Sequence, residues 1–181
     1  VRCCGECVEL LDAHHRAMAL FDRAVHQIRD DQWDGPTPCT EWSARAVVNH
    51  LVSEQFWVPH LMRGETIAHV GDRYQGDVLG AEPVATWEQA ASHARAALEA
   101  PGVLDRTVHL SYGDDAAVNY LWQLSGDLAV HTWDLATAIG TDPAIDDELA
   151  ADLYTWSEPF MDQWRRLGLF AAPVAVPPDA G

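Results

Sequence analysis

Long stretches in which apolar residues recur every three or four positions alternate, along this chain, with short stretches broken by proline and glycine. From Val8 to Ile28 the residues Leu11, Met18, Phe21, Val25 and Ile28 fall on one stripe of a helix, with Asp, Arg and His between them. His14, His15 and His26 lie on or beside its polar side and are expected to be solvated. The linker DDQWDGPTPCTEW ends this helix, because Gly35, Pro36 and Pro38 forbid its continuation. Ser43 then caps a second helix through Val47, His50, Leu51, Trp57 and Leu61, with Trp42 packing on Val47 as a staple and Pro59 bending the last turn.

Gly64 to Pro83, GETIAHVGDRYQGDVLGAEP, is rich in glycine and aspartate and has no sustained periodicity. It reads as a long crossover loop, and its length favours a site wall or lid over a plain connection, with a passive surface loop as the other reading. Thr86 with Gln89 predicts a capping box at the start of a third helix reaching Glu99, where Pro101 and Gly102 end it. Next, RTVHLSYGDDAAV alternates around Gly113 and predicts a small hairpin. A fourth helix spans Val118 to Ile139 and stops at Gly140. A fifth runs from Asp146, its cap, to Leu167, with Leu149, Leu153, Trp156, Phe160 and Trp164 as its core and Pro159 as a bend. The fold class is therefore all-α: a helical bundle with a long crossover loop, a hairpin-like excursion and an additional C-terminal helix. Residues 1–170 are expected to form one domain and 171–181 a proline-containing tail.

The chain has 181 residues, 48% of them hydrophobic, enough for one continuous core. Its 28 acidic residues outnumber 11 basic ones for a net charge of −17, which argues against nucleic acid or an anionic membrane as partner. No apolar run reaches the roughly 18 residues of a membrane span and no basic segment precedes an apolar one, so a cytoplasmic protein is expected. Three of the four cysteines, Cys3, Cys4 and Cys7, open the chain. Their one C-x-x-C has neither a second pair nor a preceding strand, so they read as incidental thiols, and Cys39 reads as a small packed hydrophobe. The glycines form no G-x-G-x-x-G that would imply a nucleotide.

Against this ordinary background the segment LSGDLAVHTWDLATAIG stands out. As a helix it puts Asp127, His131 and Asp134 on the stripe that carries Leu124, Leu128, Leu135 and Ala138, so three polar groups point toward a core. Burying them unpaired is costly, and a carboxylate four residues before an imidazole is a spacing that lets two side chains hold one ion. His50 repeats the anomaly on the second helix, with Glu54 one turn on. A cation or a closed hydrogen-bond network would answer both anomalies together. His109 in the hairpin is a fallback ligand.

HTWDLATAIG, preceded by Asp127 and combined with TPCTEWSARAVVNHLVSEQFW and the GDRYQGDVLG loop, resembles the actinobacterial branch of the DinB-like superfamily related to mycothiol-dependent maleylpyruvate isomerases. The resemblance covers nearly the whole chain. It implies a four-helix bundle of DinB-like topology in which His50, Asp127 and His131 match the family's three metal ligands, with Glu54 and Asp134 as supporting groups or a catalytic base. Two departures stand out: the isomerases carry a glutamate where Asp127 stands, and their bundle continues into a separate C-terminal domain. The shorter reach of aspartate implies a shifted ion, and the missing domain implies altered recognition of mycothiol and maleylpyruvate.

Two imidazoles and one carboxylate on a divalent ion leave a fourth position for water or substrate, as in catalytic zinc sites. Zinc is the expected ion, with nickel, iron and manganese as alternatives. The resemblance then implies a metal-dependent enzyme that uses a low-molecular-weight thiol such as mycothiol, for S-transfer or cis-trans isomerisation of a small electrophile. A metal-dependent hydrolase and a non-enzymatic metal-binding or structural bundle are the other readings, and a homodimer is left open.

Overall fold

The computed structural model describes residues 5–166, with side chains from Glu9 onward, together with 168, 171, 172 and 175. The expectations for Cys3, Cys4 and Cys7 and for most of the 171–181 tail lie outside the described residues and side chains. The described chain is helical apart from one hairpin. In order come α1 (Gly5–His26), α2 (Ala44–Met62), α3 (Ile67–Val70), α4 (Pro83–Leu98), a 3₁₀ turn at Val103–Asp105, β1 (Thr107–Leu110), β2 (Gly113–Ala116), α5 (Ala117–Ile139) and α6 (Asp147–Ser157). A second 3₁₀ turn at Glu158–Phe160 leads into α7 (Met161–Arg166).

Four helices form the bundle: α2 packs on α4 and α5, and α1 packs on α5 and α4. The start of α2 lies against the later turns of α5, where His50 meets Asp127, and its end lies near the approach to α5, where Arg106 donates to the Met62 carbonyl at 2.9 Å. The two helices are thus antiparallel. Their interior holds two apolar clusters, one around Phe21, Val47, Leu51, Trp87, Leu128 and Leu135, the other around Leu10, Val58, Leu61, Leu98, Leu121 and Leu124. Trp87 is fully buried, edge-on to Phe21 with ring centroids 4.8 Å apart, and its indole N–H donates to Asp22 at 3.0 Å.

Most boundaries follow the sequence signals. Ser43 caps α2 by accepting from Ala46 N–H, Asp146 caps α6 by accepting from Leu149 N–H, and Gly140 ends α5 with φ 73°, a left-handed turn that glycine adopts without steric cost. β1 and β2 pair antiparallel, Thr107 opposite Ala116. Pro59 sits in the last turn of α2 without ending it.

Four expectations need correction. The third long helix starts at Pro83, not Thr86: proline presets the first-turn φ, and the Thr86 hydroxyl donates to the carbonyls of Leu79 and Glu82 instead of forming a capping box with Gln89. His14 is not solvated but 1% exposed, because it lies on the same stripe as Leu10, Met18 and Phe21. The last helix is broken at Glu158–Phe160, and its aromatic residues form a surface cluster on α5 instead of a core stripe. Leu149 is buried, whereas Trp156 stacks on Trp122, and Phe160 and Trp164 stack on each other beside it.

The fourth concerns the crossover segment, which contains the helical turn α3 and is a strap along α2. Arg45 donates to the Asp77 carboxylate at 2.9 Å and to the Gly80 carbonyl at 2.8 Å, Asn49 bonds the Gly76 carbonyl and the Val78 N–H, and Ser53 donates to the Tyr74 carbonyl. The Tyr74 ring stacks on Phe56 at 5.2 Å, and its hydroxyl donates to His60, whose other ring nitrogen bonds Glu65. Arg45, Asn49, Ser53, Phe56 and His60 form one stripe, and His50 is rotated about 100° from Asn49. The strap therefore grips the outer face of α2 and leaves the His50 face to α5. Tyr74→Ala, which removes both the stack and the hydroxyl, is expected to speed proteolytic cleavage within 64–83 several-fold. Tyr74→Phe, which keeps the stack, should speed it much less. Fragment masses over a digestion time course measure both.

Candidate metal centre

The candidate site lies at the seam where α2 faces α5. On α5, Asp127 and His131 are one turn apart, and Asp134 follows three residues later, so the three form a column on the edge of the buried face. On α2, His50 and Glu54 form the matching column. The Ser43 cap fixes the start of α2, and with it the height at which His50 meets Asp127.

The imidazole nitrogen Nε2 of His50 lies 2.9 Å from Asp127 Oδ2, and His131 Nε2 lies 3.4 Å from Asp127 Oδ1. The nearest donor atoms of His50, Asp127 and His131 all fall within 4.8 Å of one another. Four ligands around an ion at about 2.1 Å sit about 3.4 Å apart. The separations observed are of that size, so the three groups fit one ion with modest side-chain adjustment. His131 Nδ1 is 2.9 Å from Asp134 Oδ2, which orients the ring and leaves Nε2 aimed at Asp127. The structure thus brings together His50, Asp127 and His131, sets Asp134 behind His131, and leaves His109 on the hairpin, bonded to Asp114 at 2.7 Å.

The site is partly sheltered. Side-chain exposure falls from 31% at Asp127 and 29% at His50 to 12% at His131 and 9% at Asp134, so one side of the group opens to solvent. Trp42, expected to staple onto Val47, packs against the cluster that contains Val47 and also supplies a wall: its ring stacks on His131 at 5.4 Å and 22° and lies 4.9 Å from the His50 ring. The two imidazoles meet edge to face at 5.2 Å. The only sequence signal for this role was the position of Trp42 just ahead of the helix that carries His50.

Electrostatics follow from the geometry. Burial pushes the Asp127 carboxyl up, but hydrogen bonds from His131 and His50 and their charges outweigh it and hold the group at about 2. Burial likewise opposes the charged form of His131, yet Asp127 and Asp134 on either side raise its pKa. The Glu54 carboxyl is raised by burial, against the favourable charge of His50 and with the repulsion of Asp127. Tyr120, two turns before Asp127, is buried with a hydroxyl that has no protein partner, and burial, Glu54 and Asp127 all disfavour its phenolate. The Cys39 thiol is pushed up by its surroundings, by Asp134 and by Glu41, which makes it a poor nucleophile.

Comparison with known proteins places these observations. The uncharacterized protein Rv0738 of Mycobacterium tuberculosis strain H37Rv, and its counterpart MT0763 in the Oshkosh strain, are each 31% identical to the chain over 142 residues, which is 78% of this chain and 74% of theirs. No solved structure matches at a significant level. No described helix is long and apolar enough to cross a membrane. The family profile that matches residues 14–136 is described as the mycothiol maleylpyruvate isomerase N-terminal domain. That match takes in α2, the strap, α4, the hairpin and α5 up to Ala136, with every residue of the His50, Asp127 and His131 group, and the chain belongs to the mycothiol maleylpyruvate isomerase N-terminal domain family.

Proposed function

We propose that this protein is a metal-dependent enzyme that uses a low-molecular-weight thiol, mycothiol or a close analogue, for S-transfer to or cis-trans isomerisation of a small electrophile. One observation carries the proposal: two imidazoles and a carboxylate converge at a half-open seam in a chain whose family is named for a mycothiol-dependent isomerase. His50, Asp127 and His131 would hold the ion, with zinc the first expectation for a set of two imidazoles and one carboxylate with a free position. A divalent ion at that position lowers the pKa of a bound thiol or water toward neutrality, and so supplies thiolate or hydroxide without a strong base.

The surrounding residues take roles that follow from their placement. Asp134 accepts from His131 Nδ1–H, fixing a proton on that nitrogen, so that Nε2 is the nitrogen that would face an ion once the ring is neutral. Glu54, raised by its burial beside Asp127, is the group best suited to take a proton from an incoming thiol and return it to product, since its proton affinity is shifted toward the working pH. Trp42 closes one flank and excludes water from the histidines.

Four variants separate these roles. His131→Ala removes a ligand and should abolish stoichiometric metal binding. Asp134→Asn, which alters only the support of His131, should weaken it by about 10–100-fold. Asp127→Glu should retain the metal, and Glu54→Gln should retain it with turnover slowed by about 10²–10⁴-fold. Metal content and thiol-dependent turnover are the readouts. Full thiol-dependent activity in metal-free His131→Ala would refute the mechanism. Wild-type protein that binds metal but turns over activated esters or amides without any thiol would point to a hydrolase.

The pH dependence of stability has a definite sign. Without the ion, the depressed Asp127 adds stability above its ordinary value of 3.8, lost as pH falls through about 2. The raised His131 adds stability below 6.5, lost as pH rises through its folded-state value. The metal-free protein therefore draws most from this cluster between roughly pH 4 and 6.5. Ion binding requires a deprotonated imidazole, so the gain in Tm on adding zinc should grow from pH 5.5 to 8. A gain that shrinks over that range would contradict the assignment of His131 as a ligand.

A further inference from the structure

The buried members of the two apolar clusters form separate groups, with partly buried Trp122 packed against both. On α1, Leu10 belongs to one and Ala13 and Ala17 to the other, with His14 at the changeover; on α2, Gln55 stands between Val52 and Val58; on α5, Ser125 stands between Leu124 and Leu128. Helix α4 passes the same level with Ala91 and Ala94. Since α1 and α2 each pack beside α4 and α5, they are the diagonal pair, and His14 and Gln55 share a layer across the bundle axis. His14 is 1% exposed and Gln55 0%.

The hydrogen bonds of this layer fix its protons. The Ser125 hydroxyl donates to the Leu121 carbonyl at 2.7 Å, so its oxygen is the acceptor for His14 Nδ1 at 3.1 Å. His14 is therefore the Nδ1–H tautomer, and its Nε2 is a bare lone pair. Burial, with the charges of His15 and Arg95, keeps the ring neutral and lowers its pKa to about 3. Nε2 has no protein donor, and neither end of the Gln55 amide has a protein partner. Native cores seldom leave three such atoms unanswered in one place.

We propose that this layer is a binding site for internal water, in which at least one water molecule donates to His14 Nε2 and joins it to the Gln55 amide. Water suits the three orphaned atoms: it donates to Nε2 and to the amide oxygen and accepts from the amide N–H, the roughly three bonds a buried water usually makes.

Solution NMR of the isotope-labelled wild-type chain tests this directly. The Gln55 side-chain amide protons should show rotating-frame Overhauser peaks to long-lived water, and His14 should read as the neutral Nδ1–H tautomer from pH 7 down to 4.5. Gln55→Leu, or Gln55→Met if the leucine variant does not fold, should shift the His14 Nε2 resonance, because its bridged partner is lost. Absent water peaks at Gln55 would overturn the proposal, as would a scalar coupling across a direct Gln55 N–H to His14 Nε2 bond.

Discussion

The constraint on which the seam depends is the Asp127 carboxylate, a negative charge drawn out of water between two helices. Desolvation alone would protonate it, yet hydrogen bonds from His50 and His131 keep it ionised at about 2. That compensation demands that α2 and α5 meet at one height, because a shift of one residue would swing His50 off the seam. The Ser43 cap, the Gly140 stop and the strap along the outer stripe of α2 all act on this alignment. A cation between the same three groups would offset the same charge, so the metal-free network and a loaded site are two solutions to one electrostatic problem.

Helix α2 divides its surface among three tasks. Val47, Leu51 and Val58 face the core; Arg45, Asn49, Ser53, Phe56 and His60 grip the strap; His50 and Glu54 face α5. This separation lets His50 and Glu54 stay partly open while the backbone behind them is fastened on both other sides. Val130 and Trp133 on α5 remain exposed, at 52% and 46%.

Much of this was legible in the chain. The i, i+4 pair of Asp127 and His131 on an apolar stripe marked the candidate site, the His50 that meets it stood out on another helix, and caps at Ser43, Asp146 and Gly140 set the element ends. What was not legible depended on contacts distant in sequence. Trp42 looked like a local staple because its stacking on His131 is made across 89 positions, and the strap looked like a long crossover loop because its anchors are on α2. His14 was misplaced for a different reason: a polar residue on an apolar stripe was assigned by its type, although Leu10, Met18 and Phe21 around it already placed it inside. Beyond Leu153 the helix does not continue unbroken: Trp156 stacks on Trp122 of α5, and after the Glu158–Phe160 turn Phe160 and Trp164 gather on Trp156 instead of entering the core.

The most direct test is the coordination sphere itself. X-ray absorption at the zinc edge on the one-to-one loaded protein, combined with anomalous diffraction, reads the ligand types and positions without reference to any substrate. The account predicts one ion per chain at the α2/α5 seam, with two imidazole nitrogens from His50 and His131, oxygen from Asp127 and one exchangeable light-atom ligand, all at about 2.0–2.2 Å. An ion held by cysteine sulfur, or one bound away from His50 and His131, would contradict it.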